Sequence, residues 1–258
     1  MKLGGFGRIA DYDHIQQVGF DYAELDIPEI EALSERKFHV LYEKVQETGF
    51  LVLIGSRALP IAEPWFFTEQ FQTMKYKAYL RHACQRASIL GMKKMILGNG
   101  KARWLVDKDS LKKEYRFIDF MRMFAEIAGE YEIEVILEPL SPRYSNYINT
   151  LPEAVQIIHK IDMPNLFTMA DLRHMFWSEE PFENVITYVD YVHHIHMDYP
   201  TSYPQRPFPK LEDDFHYTEF LDVLIKSGYQ DTLTIEADIP ENWNRSYIDA
   251  AAVLKEVL

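Results

Sequence analysis

The sequence predicts a single (β/α)8 barrel, a TIM barrel, with residues 1–258 as one domain. Three observations predict it. Short β-rich runs alternate with longer segments of helical spacing, the runs number eight, and the last four end in residues of metal-ligating type. Strict alternation implies a parallel sheet, because each parallel crossover needs a connection as long as a helix. Eight strands allow closure, whereas five or six would favour an open doubly wound sheet.

The elements follow in order. The first strand is expected at Leu3–Phe6 and the second at Tyr22–Asp26. A helix at Glu35–Thr48 precedes the third strand, Phe50–Ile54. The helical stretch Trp65–Leu90, stopped by Gly91, leads to a fourth strand at Lys94–Gly98, and Ser110–Tyr131 leads to a fifth at Glu134–Leu140. Thr150, Pro152 and Glu153 read as an N-cap, a proline and an acid opening the helix Leu151–Ile161. Strands at Phe167–Asp171, Val192–Met197 and Thr232–Ala237 complete the set. Helices at Pro181–Val189, Tyr217–Ser227 (stopped by Gly228) and Arg245–Val257 lie among them. No Gly-x-Gly-x-x-Gly loop follows the first strand and no phosphate loop ends in Gly-Lys-Ser/Thr; Gly98-Asn99-Gly100 is too short a match.

Composition narrows the function classes. The chain is 47% hydrophobic and 26% charged, a balance that supports one large core. No apolar run reaches the roughly 18–20 residues that span a bilayer, and the N-terminus runs straight into a strand-like segment rather than a signal peptide. The lone cysteine, Cys84, forms no internal disulfide, which points to a reducing cytoplasm. A net charge of −13 argues against general nucleic-acid or anionic-membrane surfaces, while leaving room for a local basic pocket for a phosphate. These features describe a cytosolic globular protein working on a small molecule.

Barrels of this class carry their chemistry at the C-terminal strand ends. Glu138, Asp171, His196 and Glu236 sit at four consecutive ends and would converge on one side of the mouth. Singly, Asp171 reads as a helix N-cap or salt-bridge partner, and His196 as a hydrogen-bonded core histidine. Four strands repeating the pattern favour a shared cation, which relieves the cost of three buried carboxylates at once. Three carboxylates and an imidazole suit one divalent ion, Mn²⁺, Mg²⁺, Co²⁺ or Zn²⁺, and the lack of thiolates disfavours a structural zinc. His194 shares the inward face of its strand with His196 and reads as support behind it or as packing. His193 should face the outer helices, His82 reads as surface or packing, and His174 is placed to turn over the metal. Trp65, Phe66, Phe67, Phe176 and Trp177 could wall a sugar pocket, although aromatics at such places more often pack.

The chain resembles the xylose-isomerase-like superfamily of sugar phosphate isomerases and epimerases. The resemblance runs through Gly19–Leu25, Leu97–Arg103, Glu138-Pro139-Leu140 with Asn149-Thr150, Asp171–Met175, His194–Asp198, and Gly228-Tyr229 with Thr234-Ile235-Glu236. It implies a mononuclear site, most often manganese, made of the four ligands above. It also implies that Glu138 and Glu236 exchange a proton at the carbon beside a carbonyl, that His174 hydrogen-bonds a substrate oxygen, and that Arg206 contacts substrate. The chain departs from the epimerase pattern at Tyr144, where that pattern carries an additional glutamate, at Ser141-Pro142, and in the proline-rich segment Tyr199–Pro207. A divergent member is therefore expected rather than a standard ketohexose epimerase.

The leading reading is a metal-dependent isomerase or epimerase of a keto sugar or related polyol ketone. A lyase on the same platform, a dehydratase or β-elimination enzyme, is the alternative, with Tyr144 compatible as an acid near a leaving group. An AP endonuclease is disfavoured because the ends of strands two to four offer no histidine, and a non-catalytic subunit would follow if no metal bound. The expected partner is a small carbohydrate, without nucleic acid or membrane; barrels of this group often pair, so a homo-oligomer is an open expectation.

Overall fold

Eight parallel strands close on themselves in sequence order, β1 pairing with β8 to complete the ring. The structure is a computed structural model and describes residues 1–255. The strands are β1 (Lys2–Gly7), β2 (Tyr22–Asp26), β3 (Leu51–Ser56), β4 (Lys94–Leu97), β5 (Glu134–Leu137), β6 (Leu166–Asp171), β7 (Val192–Met197) and β8 (Thr232–Ile235). The α-helices are α1 (Tyr12–Val18), α2 (Ile27–Glu31), α3 (Glu35–Thr48), α4 (Lys77–Leu90) and α5 (Glu114–Gly129), then α6 (Leu151–Ile161), α7 (Leu172–Trp177), α8 (Asn184–Thr187), α9 (Tyr217–Ser227) and α10 (Trp243–Lys255).

The strands end earlier than the sequence suggests at three places. β4 stops at Leu97, β5 at Leu137 and β8 at Ile235, so Glu138 and Glu236 stand one residue past their strands. Their main chains stay anchored, Glu138 N donating to Leu97 O and Glu236 N to Met197 O at 3.3 and 3.1 Å. The expected helix Trp65–Leu90 is corrected to α4 alone. Residues 65–72 form turns and Thr73–Tyr76 a 3-10 turn, because Trp65, Phe66 and Phe67 are drawn into the core as a buried aromatic cluster with Phe71, Phe117 and Tyr147. Ser110–Lys113 is likewise a 3-10 turn ahead of α5, and Pro181–Val189 holds only the short α8. Helices α1, α2 and α7 were not anticipated; each is short, and Asp26 and Asp171 cap the last two. Val257 of the expected final helix lies outside the described residues.

Two apolar layers result. Tyr22, Ile54, Ile96, Ile136 and Met169 fill the barrel interior, while a larger cluster packs strands against helices. On the β7–β8–β2 side the interior is polar instead, with Glu24, His194, Thr232 and Thr234 buried. Gly4 makes space there, since a Cβ would lie 2.2 Å from the Tyr22 ring. The helix-capping box at Thr150 forms as the sequence predicts, with Glu153 reaching back to the Thr150 amide. No helix among the described residues is long and apolar enough to cross a membrane.

Candidate metal centre and active site

Glu138, Asp171, His196 and Glu236 come together at the C-terminal mouth, with one ligand atom of each within 4.8 Å of the others. His196 Nδ1 is the hub. It lies 3.1 Å from Glu236 Oε2 and 3.7 Å from both Glu138 Oε1 and Asp171 Oδ2. Asp171 caps α7, its Oδ1 accepting from His174 N at 3.1 Å, while its Oδ2 faces the cluster. Gly98 gives Glu138 its place: a Cβ on that glycine would sit 1.8 Å from Glu138 Oε2.

The donor chemistry fits a divalent cation. His196 Nδ1 is buried with no hydrogen-bond partner among the described residues and faces the carboxylates of Glu138, Asp171 and Glu236. On its other side His196 Nε2 donates to Glu24 Oε1 at 3.0 Å, which leaves Nδ1 as the nitrogen turned toward the cluster. The local charge agrees. Around the cluster five acids (Glu24, Glu138, Asp171, Asp198 and Glu236) face three arginines (Arg103, Arg173 and Arg206), a surplus of acids that a bound cation would offset. Without a cation the surplus appears in proton affinities. Burial, with Glu236 and Asp171 nearby, pushes the Glu138 carboxyl up to about 7. His196 is held well above the usual imidazole range because Glu24, Glu236 and the other carboxylates outweigh its burial. Asp171 and Glu236 stay below the usual carboxylate range, their burial outweighed by His174 and Arg206 for the first, and by Arg206 and His196 for the second.

His174 and Arg206 both reach the cluster. His174 Nε2 is 3.7 Å from Glu138 Oε1 and from Asp171 Oδ2, and burial lowers its pKa to about 4, so the ring is neutral. Arg206 Nη2 lies 2.6 Å from Glu236 Oε2 and 3.1 Å from Asp171 Oδ2, while its Nε donates to Asp198 Oδ2 at 2.7 Å. Arg206 is thus tied to two of the four candidate ligands as well as facing the cavity.

Several contributors escaped sequence reasoning. Glu24 binds both His196 and His194, the latter at 3.2 Å, and His194 in turn meets Thr232 Oγ1 at 2.9 Å. Glu24 was visible only as an acid ending the second strand; its role depends on a cross-barrel contact. Arg173 and Asp198 form a fully buried pair at 2.7 Å, and Arg103 binds the Glu138 carbonyl from within the protein. His193 faces outward, stacked on Phe167 and joined to Glu134 at 3.0 Å, and the partly exposed His82 pairs with Glu31, both as the sequence suggests.

Above the cluster opens a cavity of about 830 Å³ lined by Ser56, Asn99, Trp104, Tyr144, Tyr203 and Arg143 among others, together with Glu138, His174, His196, Arg206 and Glu236. That size suits a small organic ligand. Tyr144 belongs to its wall, edge-on to His174 at 4.9 Å and to Tyr203 at 6.0 Å. Trp65, Phe66 and Phe67 take no part in it.

Fold and site together define a TIM barrel with a mononuclear candidate metal centre at its C-terminal mouth. The chain belongs to the xylose isomerase-like TIM barrel family, whose pattern matches residues 12–257. A curated relative from Xenopus laevis, named "Putative hydroxypyruvate isomerase", is 27% identical over 164 residues, 60% of this chain and 58% of its own length. The chain therefore aligns with little more than half of that relative. Among solved structures, the D-allulose 3-epimerase of Methylomonas sp. superposes with a TM-score of 0.83 at 18% identity, over 100% of this chain and 98% of that one. The IOLI protein, whose structure holds a zinc atom, gives 0.78 at 16% identity over 100% and 99%. At these identities the structural likeness establishes the fold.

Proposed function

We propose that the protein is a divalent-metal-dependent isomerase or epimerase of a keto sugar or a related polyol ketone. The observation that carries this reading is the convergence of Glu138 and Glu236, from β5 and β8, on His196 Nδ1 at the floor of a ligand-sized cavity. Glu138, Asp171, His196 and Glu236 would hold the ion, with manganese the first choice, and the bound ion would supply Lewis-acid polarisation of a substrate carbonyl. The protein's own groups account for the proton. One glutamate removes the hydrogen on the carbon beside the carbonyl, forming an enediolate of the substrate. A proton returned by the other glutamate to the opposite face yields an epimer; returned instead to the neighbouring carbon, with the hydroxyl proton passing from one enediolate oxygen to the other, it yields the aldose–ketose isomer, and no atom is gained or lost. Neutral His174 and cationic Arg206 are suited to orient substrate oxygens.

One observation favours a lyase as the second reading. Tyr144 lines the cavity, its phenol makes no hydrogen bond to a described side chain, and burial raises its pKa, so it is a protonated donor available to a leaving group. Incubating the Mn²⁺-reconstituted protein with keto sugars and inosose-like ketones in D₂O separates the two. Deuterium in recovered substrate or its epimer supports the isomerase, and loss of water supports the lyase. Glu236→Gln is expected to abolish exchange, and full activity in that variant would sink the two-glutamate scheme.

A further inference from the structure

Four basic side chains line the cavity: Arg57, Lys101, Arg143 and Arg206. Two are already matched by acids. Arg206 contacts Asp171, Asp198 and Glu236, and Arg57 makes a bidentate pair with Asp26, both bonds 2.7 Å. Lys101 and Arg143 differ, since neither forms an ion pair or a side-chain hydrogen bond with another described residue. They stand on adjoining loops, after β4 and β5, which touch where Gly100 packs on the main chain of Tyr144; a Cβ on Gly100 would lie 2.5 Å from that carbonyl oxygen.

Arg143 is more than a loose surface arginine. Its guanidinium carbon lies 3.5 Å from the centre of the Trp177 ring and 4.7 Å from that of Tyr203. Stacking fixes the plane of the guanidinium and leaves its N–H edge without a protein acceptor, an arrangement suited to a planar or tetrahedral oxyanion. Charge points the same way. Lys101 and Arg143 add two positive charges without a counter-ion among the described residues to the cavity wall of a chain whose net charge is −13.

We propose that Lys101 and Arg143 form an anion subsite, and that the ligand of this cavity carries a carboxylate or phosphate at the end nearer the mouth. The proposal rests on the reading of this cavity as the substrate site, and it narrows the substrate from a neutral keto sugar to an anionic one. Trp177 and Tyr203 hold the guanidinium in place; the oxyanion supplies the acceptors that the protein withholds.

Binding to the full-length, Mn²⁺-loaded protein tests it with three matched ligands: D-fructose, D-fructuronate and D-fructose 6-phosphate. These share a ketose head and differ at carbon six in carrying a hydroxymethyl, a carboxylate or a phosphate ester. Calorimetry is expected to show at least one anionic ligand binding about tenfold or more tightly than D-fructose, as charge-assisted hydrogen bonds imply, and the tighter of the two names the anion. That advantage should shrink several-fold as salt rises from about 0.05 to about 0.5 M. In Arg143→Gln and Lys101→Gln the ratio of anionic to neutral affinity should fall toward one, while Lys226→Gln, at the exposed end of α9, should leave it as in the wild type. Inorganic phosphate should also perturb tryptophan fluorescence, because Trp177 stacks under Arg143 and Trp104 lines the cavity.

Equal affinity for all three ligands overturns the proposal, as does an anion preference that survives both substitutions, or no binding of any probe including phosphate. Since the readout is affinity, its failure is separable from that of the isomerase reading. Anion selectivity without deuterium exchange would remove the isomerase and leave the subsite standing.

Discussion

Glu24 and His196 meet inside the barrel, the imidazole Nε2 donating to the carboxylate at 3.0 Å while Nδ1 turns toward the other three candidate ligands. Both residues are buried, so the pair is shielded from solvent and the carboxylate fixes which ring nitrogen carries the proton. Burial alone would raise the pKa of Glu24, but His196 and His194 hold it below the usual carboxylate range, so the group stays ionised. A histidine ligand backed by a carboxylate is oriented and made more basic.

Glu24→Gln therefore should weaken Mn²⁺ binding by about 10–100-fold, the usual effect of removing such a partner. Calorimetric titration of metal into the chelator-stripped protein measures it, alongside circular dichroism to show that the barrel is intact. Unchanged metal affinity in a folded variant would mean that His196 is oriented by something else.

Gly98 provides a steric test of the same centre. Its missing side chain is where the Glu138 carboxylate lies, at 1.8 Å from an ideal Cβ. Gly98→Ala must displace Glu138, and Mn²⁺ affinity should fall by at least about tenfold, the order expected when a first ligand is misplaced. Wild-type affinity in the alanine variant would show that Glu138 is not required where it stands.

Much of this centre was legible because it is written along single strands. Glu138, Asp171, His196 and Glu236 each stand at the end of a strand-like run, and eight alternating units imply a barrel that brings such ends together. What escaped depends on contacts between distant elements. Glu24 is 172 residues from His196, and nothing local distinguishes it from any acid closing a strand. Arg173 is, by sequence, one more polar residue after the sixth strand, yet it is fully buried because four acceptors from the segment after β7 surround it. The aromatic stretch beginning at Trp65 has helical spacing but folds as turns, since burying three large rings in succession, Phe66 among them against Phe117 and Phe120 of α5, outweighs local propensity. The early helices α1 and α2 have only 7 and 5 residues, too few for a periodic pattern to stand out.

Cys84 should be chemically silent in the native protein. It is fully buried on α4 against Met95, and burial pushes its thiol up to about 12. A thiol with a raised folded-state pKa favours folding below its unfolded value near 9, and that contribution is lost as pH rises toward 12. At about pH 8 a disulfide reagent such as DTNB should leave the native chain essentially unmodified and titrate one thiol in denaturant. Stoichiometric labelling within minutes under native conditions would contradict this burial.

Arg173 and Asp198 form the buried ion pair on which the segment presenting Arg206 depends. The Arg173 Nε–Asp198 Oδ2 distance is 2.7 Å with both side chains excluded from solvent, and the other guanidinium nitrogens bind the carbonyls of Tyr199, Ser202 and Gln205. Asp198 Oδ2 also accepts from Arg206 Nε, so one oxygen serves both arginines. Asp198 is pushed up to about 6 by burial even with both arginines beside it, so losing one leaves its charge poorly compensated. Arg173→Met should cost about 3–5 kcal/mol, the range for breaking one side of a buried pair. For a chain of this size that corresponds to a fall in Tm of roughly 6–20 °C by calorimetry. Arg173→Lys should recover only part of the loss, since an ammonium can pair with Asp198 but cannot span three main-chain acceptors in the same plane. Proteolysis of the methionine variant should open first between Tyr199 and Arg206, where the carbonyls lose their donor, before the barrel strands are cut. A methionine variant that melts within about 1 °C of the wild type, with that segment equally protected, would show that the network stabilises neither the loop nor Arg206.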